Sequence, residues 1–167
     1  MKTLLILRHA KAVPKDPSIS DHDRPLDKVG EDDALHLGKL IKEKDIIPSS
    51  IISSTALRAK TTAEFVAKGC NYKGDIAVDQ SLYEAKPKAY LAILEKLSDR
   101  YSNVLIVGHN PAAEDTIQML TDISHVSSIP PCTLAHLILP IEKWSDLSSK
   151  NKLEQHKVLL REIIQPK

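Results

Sequence analysis

The strongest constraint on the fold of this chain is an alternation in which short β-type runs take turns with helical ones. The β-type runs cover residues 3–7, 50–53, 76–78 and 103–107. The helical runs cover 26–44, 56–68, 87–101 and 111–120. Strand and helix in turn mark βαβ units and a mostly parallel sheet. Within the helical runs the apolar residues recur on one stripe, as in Ala34, Leu37 and Ile41, or Ala59, Ala63 and Val66. Tyr90, Leu94 and Leu97, and Ala113, Ile117 and Leu120, repeat the pattern, so each helix has one face to lay on a sheet. The run Val104 to Val107 is apolar without interruption, as a strand covered on both faces must be, and Leu4 to Leu7 reads the same way. The expected fold is therefore α/β, a three-layer αβα sandwich with a mostly parallel central sheet.

After Pro130-Pro131 the pattern changes to β-type runs at 133–139 and 157–164, joined by a polar stretch at 144–155. This predicts an antiparallel hairpin at the sheet edge near the C-terminus, with a helix over 153–164 as the alternative. A chain of 167 residues without an internal repeat or a linker suits one domain, 1–167.

Charge excludes some functions. The 23 Lys and Arg are nearly cancelled by 22 Asp and Glu, so no global positive field exists to hold nucleic acid or an anionic membrane surface. An anion must be caught by a local cluster. Cys70 and Cys132 stand far apart without CxxC spacing, which argues against a zinc ribbon, a redox pair or a disulfide framework. The apolar run before Arg8 is too short for a secretory segment, and no stretch approaches the ~18 apolar residues of a membrane span. The expected location is the cytoplasm.

The polar residues fall at telling places. Strand one runs into Arg8-His9, strand two leads to Arg58, strand three to Glu84 and strand four to His109. In an open parallel sheet ligands bind beyond the carboxyl ends of the strands, so these side chains are expected to meet in one crevice. Two guanidinium forks and two imidazoles around one point suit a dianionic phosphoryl group. Pro111, placed to open the helix after His109-Asn110, adds a helix N-terminus to the field.

With these residues in view, Leu7-Arg8-His9-Ala10-Lys11-Ala12 resembles the signature of the histidine phosphatase superfamily, usually Arg-His-Gly. The segment from Ser53 through Arg58 to Ala63 resembles that superfamily's second arginine motif, and Val107-Gly108-His109-Asn110-Pro111 its second histidine motif. Asp23-Arg24-Pro25-Leu26, with Gly30 after it, and Leu82-Tyr83-Glu84-Ala85 are similar to the small SixA-type phosphohistidine phosphatases. Ala10 stands where the wider superfamily has Gly, a difference of one methyl group.

The resemblance implies a phosphoglycerate mutase-like fold and a phosphatase that needs no metal and no cofactor. His9 would be the nucleophile of a phosphohistidine intermediate, with Arg8, Arg58 and His109 binding the equatorial oxygens. His9 must be neutral to attack, and positive charge on Arg8 and Arg58 is expected to depress its pKa. His109 is expected to act as a protonated donor. The general acid is open between Glu84 and Asp21, and Arg24 between bracing a loop and binding phosphate at the rim; Asn110 joins it as a substrate-binding candidate. Only one helix and one strand fit between Glu84 and His109, which implies an unroofed crevice able to admit a side chain of another protein. The expected partner is thus a phosphorylated protein carrying phosphohistidine. A small phosphate ester, or a phosphate-binding module without turnover, are the alternatives. His22 is placed near the mouth, and His36, His125, His136 and His156 are read as surface or packing residues.

Overall fold

A computed structural model describes residues 1–123, 128–148 and 158–166. Six strands form one sheet in the order β3-β2-β4-β1-β5-β6, where β1 is Lys2–Arg8, β2 Ser50–Ser54, β3 Ile76–Asp79, β4 Asn103–Gly108, β5 Leu134–Leu139 and β6 Leu159–Ile164. The pairs β1 with β4, β2 with β4 and β2 with β3 are parallel. Strand β5 runs antiparallel to β1, and β6 antiparallel to β5. The chain is thus an α/β protein with a mostly parallel sheet and an antiparallel edge formed by its C-terminal part.

Among the described residues four α-helices cover the sheet: α1 Lys28–Glu43, α2 Leu57–Cys70, α3 Pro87–Glu95 and α4 Ala112–Thr121. The pleat sends alternate residues of each strand to opposite faces. Leu5, Leu7, Ile51, Leu105 and Val107 meet the stripes of α1 and α2 in one core layer. Leu4, Ile6, Ile52, Val104 and Ile106 meet α3 and α4 in the other. Both layers bury their strand residues almost completely, which is why β1 and β4 lack polar alternation.

Two glycines allow α1 and α2 to cross closely. A Cβ on Gly38 would lie 2.3 Å from the Val66 carbonyl oxygen, and one on Gly69 would lie 2.4 Å from that of Leu35. Helix α1 begins at Asp27, whose carboxylate accepts the Gly30 N–H at 2.8 Å. Pro87 opens α3 at a position where its missing N–H costs nothing.

Helix α3 is shorter than the helical run at 87–101 implies. The chain leaves the helix because tertiary partners claim its polar groups: Asp99 accepts the Trp144 backbone N–H, and the Tyr101 carbonyl accepts the indole N–H at 2.8 Å. Lys2 Nζ donates to the carbonyls of Asp99 and Tyr101. Trp144 itself, within a stretch that reads as polar, is fully buried in the core layer of α3 and begins a 3-10 turn, Trp144–Ser148. Over residues 159–164 the strand reading holds and the helix alternative does not. Residues 153–157 of that alternative, with His125 and His156, lie outside the described residues. None of the described helices is long and apolar enough to cross a membrane.

Candidate active site

Strands β1 and β4 are in register, with Arg8 opposite Gly108, so the chain leaves both strands at one level. The His9 N–H donates to the Gly108 carbonyl at 3.0 Å, which extends the ladder by one residue. His9 and His109 then face each other with ring centroids 5.1 Å apart. Gly108 is required here because a Cβ would lie 2.1 Å from the Tyr90 hydroxyl oxygen. Strand β2 ends at Ser54, whose Oγ is 2.8 Å from His109 Nε2, and one turn later α2 presents Arg58 from its first turn. The positive end of α2 therefore points toward the same place.

His9 is 8% exposed. Its Nδ1 lies 2.8 Å from the Ala10 carbonyl oxygen, which can only accept, so Nδ1 carries the proton and Nε2 keeps its lone pair. Arg58 Nε approaches that lone pair at 3.4 Å. The pKa of His9 is pushed down from 6.5 to about 4, first by burial and then by the charges of Arg58, Arg8 and Arg24. The ring is therefore neutral near pH 7, as expected from its cationic neighbours, although desolvation is the larger cause.

The expectation for His109 needs correction. Burial, reinforced by His9 and Arg58, lowers its pKa to about 3, so the ring is neutral rather than a protonated donor. Removing an imidazolium from water beside two guanidinium groups costs too much. His109 Nδ1 is buried and has no hydrogen-bond partner among the described residues.

The two carboxylate candidates separate clearly. Asp21, in the 3-10 turn Asp21–Asp23, accepts hydrogen bonds from Tyr83 Oη at 2.7 Å, from an Arg58 Nη at 3.1 Å and from an Arg24 Nη at 3.1 Å. Its backbone carbonyl takes the other Arg58 Nη at 2.7 Å. The Tyr83 hydrogen bond first, and the two arginines with it, hold this carboxyl well below the ordinary carboxylate range. It is an anion that grips arginines. Glu84 is exposed and sits at φ 55, and no hydrogen bond or ion pair joins it to Arg8, His9, Arg58 or His109.

Arg24 braces the loop. One Nη holds Asp21, the other donates to the Val13 carbonyl at 2.9 Å, and Nε is buried without a partner among the described residues. Asn110 does not offer its amide N–H groups to the crevice: Nδ2 donates to Glu114 at 2.8 Å and to the Ile129 carbonyl at 3.0 Å. Arg8 donates through an Nη to that same carbonyl at 2.7 Å. Ala10 is fully buried in the α1 and α2 layer, with its N–H on Thr62 Oγ1, so its methyl group points into the core.

Tyr83 and Glu114 are members of this site that the sequence reading did not assign. Tyr83 lies edge-on to both His22 and His109, with centroids 4.9 and 5.7 Å away. His22, near the mouth as expected, also meets Thr55 Oγ1 at 2.9 Å. His36 is exposed, and His136 is buried 3.8 Å from Glu162. Both cysteines are buried and unpaired, and burial pushes the Cys132 thiol up to about 12. Among the described residues no group of three or more His, Cys, Asp and Glu side chains could hold a metal ion.

Residues 4–91 match the family profile described as histidine phosphatase superfamily (branch 1). The chain belongs to that superfamily. It is 29% identical over 132 residues to an uncharacterised chloroplastic protein of Arabidopsis thaliana, At3g52155, and the match covers 74% of this chain and 61% of the plant protein. The chain thus spans about three fifths of that relative's length. Among solved structures it is similar to a chain assigned as the phosphohistidine phosphatase SixA of Agrobacterium tumefaciens, with 27% identity, a TM-score of 0.82, and coverage of 99% of this chain and 98% of that one. A SixA protein histidine phosphatase complexed with tungstate shares the fold at 20% identity, TM-score 0.80, covering 98% and 97%. The phosphoglycerate mutase-like architecture expected from the motifs is the architecture observed.

Proposed function

We infer that this protein is a metal-independent phosphatase whose nucleophile is Nε2 of His9 and whose substrate is phosphohistidine in another protein. The observation that carries the reading is the state of His9: neutral, its tautomer set by the Ala10 carbonyl, its Nε2 lone pair turned toward Arg58. Attack in line on a phosphoryl group forms the Nε2–P bond while the bond from phosphorus to the leaving nitrogen breaks. Water then cleaves the phosphohistidine intermediate and frees His9. Arg8, Arg58 and neutral His109 are the groups that bind and stabilise the equatorial oxygens. The guanidinium charges of Arg8, Arg24 and Arg58 oppose a cation at this point, which supports chemistry without a metal.

The leaving group follows from the carboxylates. An alkoxide leaves well only with a positioned acid, an aid worth about 10²–10⁴-fold. Asp21 is held ionised and Glu84 is turned out to solvent, so neither candidate is built as that acid. An imidazole needs less help. Between Glu84 and His109 the chain contains only α3 and β4, with no helical insertion to roof the strand ends, and this supports a substrate presented on a protein surface. The test is to mix the purified protein with a phosphohistidine-bearing carrier and a phosphoserine control in a strong chelator. The expected result is phosphate release from the carrier alone, with label trapped on His9 at neutral quench and lost in His9→Ala. Release that is undiminished in His9→Ala would overturn the mechanism; faster release from an ester would overturn the substrate class.

A further inference from the structure

Arg8, at the end of β1, donates through an Nη to the Ile129 carbonyl, while its Nε is buried without a partner among the described residues. A guanidinium fork binds a phosphoryl group well only if its plane is fixed beforehand. What fixes the plane of Arg8 is therefore whatever fixes the Ile129 carbonyl.

Ile129 is held at both of its backbone polar groups, the N–H by Glu114 and the carbonyl by Asn110. Glu114, in the first turn of α4, accepts the Ile129 N–H and takes Asn110 Nδ2 at 2.8 Å on the same oxygen. Asn110 Nδ2 also donates to the Ile129 carbonyl at 3.0 Å, beside Arg8. The four residues form a closed network: Glu114 to the Ile129 N–H, the Ile129 carbonyl to Arg8, and Asn110 across both. We propose that Glu114 is the positioning residue of Arg8, acting through the Ile129 backbone and Asn110 to hold the guanidinium toward the phosphoryl site. A carboxylate is suited to this place because it accepts two hydrogen bonds at the positive end of α4. Its charge also works against the effect of burial on Arg8. Asn110 belongs to the same device, so its part in phosphate recognition is indirect.

The proposal rests on the reading of Arg8 as a phosphoryl-oxygen ligand, and its test needs no turnover. Binding of inorganic phosphate is measured by calorimetry for the wild type, Glu114→Asp, Glu114→Gln, Arg8→Ala and the double variant Arg8→Ala with Glu114→Asp. Aspartate keeps the charge in the first turn of α4 and so protects the helix, but it is one methylene too short for the Ile129 N–H. Glutamine keeps the acceptor oxygen at full length. We expect Glu114→Asp to weaken phosphate binding about tenfold and Glu114→Gln less than about threefold. In the Arg8→Ala background Glu114→Asp should change binding by less than about twofold, because nothing is left to orient. A full tenfold loss in that background would show a general structural role and overturn the proposal, as would unchanged binding in Glu114→Asp. Phosphate binding that ignores Arg8→Ala would remove the role of Arg8 as well. His9 labelling then decides separately whether the phosphatase reading stands.

Discussion

The two arginines beside His9 are held in contrasting ways. Arg58, on α2, is gripped twice by Asp21, one Nη on its carboxylate and the other on its backbone carbonyl, and Arg24 and Tyr83 hold the same carboxylate from other directions. Arg8, at the end of β1, is gripped by a peptide carbonyl, and the carboxylate behind it, Glu114, acts one step away. A directly paired arginine keeps its geometry but shares its charge with its partner, whereas one anchored on a neutral carbonyl, with its carboxylate a step away, keeps more of its field for an incoming anion. The pocket thus combines a rigid, partly neutralised half near α2 with a half near α4 whose charge is less compensated.

The largest effect that separates the two halves is expected from removing each arginine. Arg58→Ala and Arg8→Ala should each lower kcat/KM by about 10²–10³-fold, since each removes a donor to the phosphoryl oxygens. Only Arg58→Ala should also move the Asp21 carboxyl up toward its ordinary value, because Arg58 and not Arg8 stands among the causes of its depression. Carboxyl NMR titration of the two variants reads this directly, and an equal shift in both would break the contrast.

A smaller effect lies in the pH dependence of stability. His9 has a folded pKa near 4 against an ordinary 6.5, so between these values the unfolded chain binds the proton and the folded one does not. Stability must then fall as pH drops from 6.5 toward 4, by about 2 kcal/mol at pH 4.5 from His9 alone. His109, lowered to about 3, adds a similar trend that continues to lower pH. Asp21 contributes in the other window: its depressed carboxyl stabilises the fold above its ordinary 3.8, and that contribution is lost as pH falls below it. Urea unfolding of wild type and His9→Gln at pH 7 and pH 4.5 should show a flatter acid limb in the variant. A parallel pair of curves would mean that His9 is not buried as a neutral ring.

The smallest effects test the carboxylates. Tyr83→Phe removes the hydroxyl that Asp21 accepts, and should cost about 1 kcal/mol of stability and less than tenfold in kcat/KM. Glu84→Gln should change kcat/KM by less than about twofold, as for a solvent-facing side chain. A larger loss in Glu84→Gln than in Tyr83→Phe would restore Glu84 as the acid and favour an ester substrate.

Much of the molecule is legible in its sequence. The central strands follow from short uninterrupted apolar runs and most helix bounds from a period of 3.6, which local sequence carries by itself. The convergence of Arg8, His9, Arg58 and His109 follows from topology, since parallel strands bring their carboxyl ends to one edge. Helix α3 stops earlier than its pattern because Trp144 and Lys2 claim the groups of Asp99 and Tyr101. No local pattern announces a partner more than forty residues away.

The sequence by itself determined the order of elements, the two core faces and the list of cations and imidazoles at the strand ends, because these depend on neighbours along the chain. Only the tertiary structure decided that His109 is neutral, that Asp21 is an anchor and Glu84 a surface residue, and that Glu114 stands behind Arg8. Protonation and hydrogen-bond partnership depend on burial and on charges brought close through space, and those exist only once the sheet has formed.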